Sequence, residues 1–317
     1  MKTEIEKLNL EAIDDKIIAK AAAIIRDGGL VAFPTETVYG LGADAMQASA
    51  AKKIYEAKGR PSDNPLIVHI ADVSALRNLT DEVPGKAVKL AKAFWPGPLT
   101  MIVKKSAAVP YETTGGMDTV AVRMPNHPVA LALIAASGTY IAAPSANTSG
   151  RPSPTTAEHV MTDLNEKIPL ILDGGSVGIG IESTIIDLTE ETPMILRPGY
   201  IIQKPKAPGM KYRHYAPKAD LTVVTGEKKD VIGTINYLSH TGISQGKKLG
   251  IIATDETAGE YRCGDVISIG AREDEDAIAR HLYGILRKFD DLDVDTIYSE
   301  RIESEGLGQA NMNRLVI

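Results

Sequence analysis

Apolar residues recur along this chain in short blocks that switch between two periods. Over 13–27 they cluster on one face at the spacing of a helix, and Gly28-Gly29 stops the run. Residues 30–33 form a continuous apolar stretch, as in a buried strand, and deliver Pro34-Thr35-Glu36-Thr37. The same reading predicts helices near 47–57, 83–94, 128–136 and 155–163. It predicts strands at 66–70, 99–103, 119–124, 140–143, 169–173, 183–188 and 194–197. Strands do not alternate regularly with helices. The expected first domain, residues 1–204, is therefore α/β with a mixed, twisted sheet rather than a simple parallel one.

Residues 203–220 (QKPKAPGMKYRHYAPKAD) lose this periodicity and read as a linker, bounded here as 205–219. Beyond it, strands at 221–225, 248–253, 266–269 and 296–299 and helices near 228–240 and 273–289 predict a small Rossmann-like α/β domain, 220–317.

Composition narrows the classes. A chain of 317 residues with 44% hydrophobic residues can bury two cores, and its net charge of −6 argues against coating nucleic acid by bulk attraction. The single cysteine, Cys263, excludes an intrachain disulfide framework and reads as a small buried apolar residue. The N-terminal stretch is charged throughout, and no run approaches the roughly 18 apolar residues of a membrane span. A soluble cytoplasmic protein is expected.

The chemistry-bearing residues sit on loops after apolar runs. There is no G-x-x-x-x-G-K-[ST] loop and no G-x-G-x-x-G turn, so any nucleotide is held without the standard phosphate cradles. Lys58 and Arg60 flank Gly59 at a predicted helix end; they suit a polyanion, and equally a solvated cation pair favoured by the helix dipole. Thr35 and Thr37, and Ser145, Asn147, Thr148 and Ser149, follow strands, where α/β sheets bind ligands and where such residues also cap turns. Arg123 shares one strand face with Thr119 and Ala121, and must face water or find an anion, either a carboxylate ligand or a structural Asp or Glu. Arg197 poses the same question. His69 lies inside a strand, as a satisfied core histidine would, and Ser183 begins another.

Seven segments, in order and spacing, resemble the two-domain threonylcarbamoyl-AMP synthase family. They are PTETVYGLG at 34–42, Lys58-Gly59-Arg60 with Ser145-Ala146-Asn147, FWPGPLT at 94–100, TVAVRMP at 119–125, IEST at 181–184, LRPG at 196–199 and HYAP at 214–217. The resemblance implies a YrdC-like catalytic domain with a concave site, a linker closing over it, and a Rossmann-like C-terminal domain. It implies an enzyme, a nucleotidyltransferase that makes threonylcarbamoyl-AMP and pyrophosphate from L-threonine, bicarbonate or CO2, and ATP with Mg²⁺. The product would pass to a tRNA threonylcarbamoyl transferase complex that modifies adenosine 37 of tRNA; direct tRNA binding is left open, and no membrane partner is implied.

Carried over by position, the resemblance puts Thr37, His69, Arg123, Ser183 and the backbone at Ala143 on L-threonine. It puts Arg60, Asn64, Thr119, Ser145, Ser153, Arg197, His214 and Tyr215 on ATP. Lys58, Arg60 and Asn147 form the catalytic set near the reacting phosphate and carbamate, with no protein-held metal. Two rivals remain: an RNA-binding module, disfavoured by the acidic charge, and a carbamoyltransferase-type maturation activity, disfavoured by missing acylphosphatase and zinc-finger segments.

Overall fold

The computed structural model describes residues 2–201 and 217–302, in two compact units. In the first, β1 (Glu4–Lys7) precedes α1 (Asp15–Arg26), whose N-cap Asp14 accepts from the Lys16 amide at 2.8 Å. β2 (Val31–Pro34) turns into β3 (Tyr39–Asp44), and α2 (Ala48–Lys58) ends where Gly59 takes the left-handed conformation, φ 61°. There follow β4 (Ile67–His69), the short α3 (Leu76–Leu79), α4 (Gly85–Phe94), β5 (Leu99–Lys104), the single turn α5 (Tyr111–Thr114) and β6 (Thr119–Arg123). Then come α6 (Pro128–Ser137), β7 (Ile141–Ala142), α7 (Ala157–Leu164), β8 (Leu170–Asp173), β9 (Thr184–Asp187) and β10 (Met194–Arg197).

The ten strands form one sheet in the order β1-β8-β2-β3-β7-β4-β6-β5-β9-β10. It is mixed, as expected: β8 is parallel to β1 and β2, β6 to β4 and β9 to β5, while the other neighbours are antiparallel. Two strands escape the sequence pattern. β1 is a charged edge strand, and β3 carries glycines that lower strand propensity. Gly42 is there for space, since a Cβ would lie 2.7 Å from Ile141 Cγ2 and 2.8 Å from Phe33 Cε1.

Alternation gives the sheet two faces. One buries Leu41, Val68, Met101 and Val122 with residues of α2, α3, α4 and α7. Trp95 joins this core as expected and donates its indole N–H to the Leu99 carbonyl at 2.7 Å. The other face packs Val31, Phe33, Ile141 and Leu170 with residues of α1 and α6. Farther across this second face, Ile67, Thr119, Ala121, Ile102 and Ile185 are only half-buried, leaving an accessible strip over β4, β6, β5 and β9.

In the second unit, β11 (Asp220–Val224), α8 (Lys228–Ser244), β12 (Leu249–Ala253), β13 (Asp265–Ser268), α9 (Glu275–Leu292) and β14 (Thr296–Glu300) build the expected small Rossmann-like sheet. It is fully parallel, in the order β11-β14-β12-β13. Cys263 is half-buried rather than buried, because it lies in the loop between the 3-10 turn Ala258–Glu260 and β13, outside the packed core. Among the described residues no helix is long and apolar enough to cross a membrane. The predicted linker 205–219 lies outside the described residues except for 217–219.

Candidate active site

The β-ladder register sets three buried polar side chains in one row of the second face, beside its half-buried strip. His69 on β4 pairs with Arg123 on β6, which pairs with Thr100 on β5. Neighbouring strands lie about 4.8 Å apart, so the three are adjacent. Thr100 shares a hydrogen bond with Ser183 (Oγ1–Oγ 2.7 Å), and Arg197 grips Ser183 twice, donating from Nε to its carbonyl and from Nη2 to its hydroxyl, each at 3.0 Å. Gly199 makes that grip feasible: a Cβ there would lie 2.4 Å from the Thr184 amide nitrogen, so only glycine lets the chain pass this close.

Electrostatics sharpen the row. Arg123 is only 4% exposed, and its Nη2 lies 2.7 Å from Glu36 Oε1. This is an ion pair by distance but not an aligned hydrogen bond: Nη2 and both carboxylate oxygens of Glu36 are buried without an aligned partner. His69 is also 4% exposed; burial, with the neighbouring Arg123 charge, pushes its pKa down to about 3, so the ring is neutral. Its Nδ1 lies 3.1 Å from the Ile67 carbonyl.

A second cluster surrounds Lys58, which is 1% exposed at the end of α2. Its ammonium donates to the Ser145 carbonyl at 2.5 Å and to the Asn147 carbonyl, with Asn147 Oδ1 at 3.4 Å. Ser145 donates its hydroxyl to Asn147 Oδ1 at 2.5 Å, and the Ser149 amide returns to the Lys58 carbonyl at 2.8 Å. Lys58 thus fixes the shape of the 145–149 loop from below. Arg60 turns elsewhere, with Nη2 donating to the Pro65 carbonyl at 3.3 Å.

The 34–40 segment joins the two clusters. Thr35 Oγ1 accepts from the Thr37 and Val38 amides, both at 3.2 Å, forming a tight turn that presents Glu36 to Arg123. Just beyond it, the Ala146 amide donates to the Tyr39 carbonyl at 2.8 Å, and Gly40 bridges Ser145.

Comparison with known proteins places this arrangement. A family model described as telomere recombination matches residues 23–199, and one described as the C-terminal domain of threonylcarbamoyl-AMP synthase matches 181–316. A threonylcarbamoyl-AMP synthase of Pyrococcus abyssi is 50% identical, covering 96% of this chain and 94% of the relative. One of Bacillus subtilis is 49% identical, covering 96% and 93%. The chain belongs to the threonylcarbamoyl-AMP synthase family. It is an enzyme. The crystal structure of P. abyssi Sua5 complexed with L-threonine is similar over 99% of this chain and 96% of that one, at 48% identity and a TM-score of 0.91.

Within this family member, the structure brings His69, Arg123 and Ser183 together, with Arg197 attached through Ser183, and separately unites Lys58, Ser145 and Asn147. The Ala143 amide donates to the Ile67 carbonyl at 2.8 Å, which sets that backbone beside β4. Thr37 is buried, its hydroxyl 2.9 Å from that of Thr35, and Ser153 donates to Glu182 Oε1 at 2.6 Å, one residue from Ser183. Asn64 lies in the turn after Arg60, and Thr119 opens β6 at the end opposite Arg123. His214 and Tyr215 lie outside the described residues. Sequence reasoning missed Glu36, Thr100 and Glu182 as partners of the site. For Thr100 the signal was available, since alternation in 99–103 sets it opposite the core residues Leu99 and Met101.

Proposed function

We propose that this enzyme makes threonylcarbamoyl-AMP and pyrophosphate from L-threonine, bicarbonate or CO2, and ATP. The product would serve threonylcarbamoylation of adenosine 37 in tRNA. The observation that carries this reading is the His69–Arg123–Thr100–Ser183 row, in a chain whose similar solved structure was obtained with L-threonine. A small hydroxylated amino acid suits it. Arg123 takes the carboxylate, and the neutral His69 and the Thr100–Ser183 hydroxyl pair meet the substrate hydroxyl.

The amine of bound threonine, once its ammonium has given up a proton, adds to CO2 or condenses with bicarbonate with loss of water, and the resulting carbamate oxygen attacks the α-phosphate, expelling pyrophosphate. No covalent enzyme intermediate is required, so the residues position the reactants and balance charge. Lys58 holds the Ser145–Asn147 loop in shape for the reacting phosphate, while Arg60 and Arg197 add positive charge. Ala143 and Thr37 lend backbone and turn to the threonine side. Asn64, Thr119, Ser145, Ser153, His214 and Tyr215 are assigned to ATP on the resemblance. Among the described residues no cluster of three or more His, Cys, Asp or Glu could cage a metal. Mg²⁺ would arrive on the triphosphate itself, held by its phosphate oxygens and water, where it would neutralise phosphate charge. The mixed anhydride is labile in water, which favours handing it directly to a tRNA threonylcarbamoyl transferase complex.

The test is incubation of the purified protein with L-threonine, labelled bicarbonate and MgATP. Pyrophosphate release that depends on all three, with a product of the mass of threonylcarbamoyl-AMP, is expected. Release independent of threonine contradicts the proposal.

A further inference from the structure

The reading above accounts for Arg123 but leaves Glu36 without a task. A carboxylate buried beside the substrate site needs a reason, because a buried ion pair is stabilising only when its geometry is good and its remaining hydrogen bonds are met. Here they are met only in part: Arg123 Nε donates to the Gly97 carbonyl at 3.4 Å, but the pair itself is poorly aligned. Arg123 Nη2 stands 2.7 Å from Glu36 Oε1, yet that nitrogen and both carboxylate oxygens lack an aligned hydrogen bond. The guanidinium fork is occupied by charge but not by geometry.

The turn that carries Glu36 is well held. Thr35 Oγ1 accepts two amides and donates to the Val38 carbonyl at 2.7 Å, so any rearrangement falls to the Glu36 side chain and not to the loop. Among the described residues, His127, the N-cap of α6, is a second titratable group that feels Glu36, and its Nδ1 accepts from the Val129 amide at 3.3 Å. His127 is thus tied to its helix, and Glu36 has no second cation of its own among these neighbours.

An amino acid brings one carboxylate and one ammonium. The site holds one guanidinium and one carboxylate, already adjacent and poorly bonded to each other. We infer that Glu36 occupies the seat of the substrate carboxylate on Arg123 until L-threonine displaces it, and then binds the substrate's α-ammonium until that group gives up a proton to become the attacking amine. The exchange conserves charge at every stage: two misaligned ions become two aligned pairs, and no charge is left buried alone. Glu36 would thereby select ligands with a free α-amine and disfavour simple hydroxy acids, which would displace it from Arg123 and offer no cation in return.

This inference rests on the threonine reading of the site, and one set of titrations separates the two. Calorimetry compares L-threonine with (R)-3-hydroxybutyrate, the same acid without the amine, on the full chain and on Glu36→Gln. The preference for L-threonine over the hydroxy acid should fall at least tenfold in Glu36→Gln, with the hydroxy acid bound as tightly as before or tighter. Glu36→Asp keeps the charge and should retain most of the preference, which guards against a mere folding defect. An unchanged preference in Glu36→Gln, or equal weakening of both ligands, overturns the role of Glu36. Failure of the unaltered protein to bind L-threonine would instead overturn the threonine reading itself.

Discussion

His69 and Arg123 face each other across the β4–β6 pairing, and burial, helped by the Arg123 charge, keeps His69 uncharged, its pKa lowered to about 3 from the ordinary 6.5. Between those values the unfolded chain binds a proton that the folded chain refuses. Lowering pH through that window therefore favours unfolding. The cost approaches about 1.4 kcal/mol per pH unit for this one group. Trp95, the chain's single tryptophan, sits in the first core and reports on that unit. Urea unfolding followed by its fluorescence at pH 7, 6 and 5 should show stability falling faster in the unaltered protein than in His69→Gln. Parallel pH profiles would place the proton elsewhere.

Lys58 is consumed by the loop it supports. Replacing it with Met leaves the Ser145 and Asn147 carbonyls without their donor, at about 1–3 kcal/mol for each one left buried and unmet. Pyrophosphate release should drop at least tenfold while L-threonine affinity changes little, because the threonine row lies on other strands. Lys58→Arg should also fail, since a planar fork cannot serve oxygens that converge on one point. Comparing turnover with threonine titrations checks both outcomes.

Arg123→Met should lower stability by about 3–5 kcal/mol, because it strands the Glu36 carboxylate in a buried place. The double variant Glu36→Gln with Arg123→Met should recover most of that loss in thermal unfolding. It should remain unable to release pyrophosphate in response to threonine. Recovered activity would show that the pair is structural only.

Selectivity follows from the hydroxyl-lined end of the row. Serine differs from threonine by one methyl, so discrimination should stay within about 1–3 kcal/mol in kcat/KM. Valine lacks the hydroxyl and should be rejected more strongly, since His69 and the Thr100–Ser183 pair then lose a partner. Ser183→Ala should narrow the threonine–valine gap in pyrophosphate-release assays with each amino acid.

Much of this architecture was legible in the sequence where the physics is local. The helix read over 13–27 and stopped by Gly28-Gly29, which spans Asp15–Arg26, and the alternation that turns Arg123 away from Val122 follow from periodicity and end signals. β3 was not legible as a strand, because its glycines lower strand propensity and Gly42 is dictated by Phe33 and Ile141, which only the folded sheet brings near. The anion that Arg123 finds was foreseen as a kind, a ligand or a structural acid, but its identity as Glu36 depends on a contact 87 residues away in the chain, by the difference of the two numbers. Lys58 and Arg60 read as a pair and diverge in the structure. The left-handed Gly59 between them sends one ammonium inward and leaves the guanidinium half-buried beside Pro65.

On the proposed function, the strip over β4, β6 and β5 receives the amino acid. The most direct measurement is a crystal structure of this chain with L-threonine. The ligand's carboxylate is expected on the Arg123 guanidinium and its hydroxyl facing His69, Thr100 or Ser183. Threonine bound away from that row, with Arg123 still engaged only by Glu36, would contradict it.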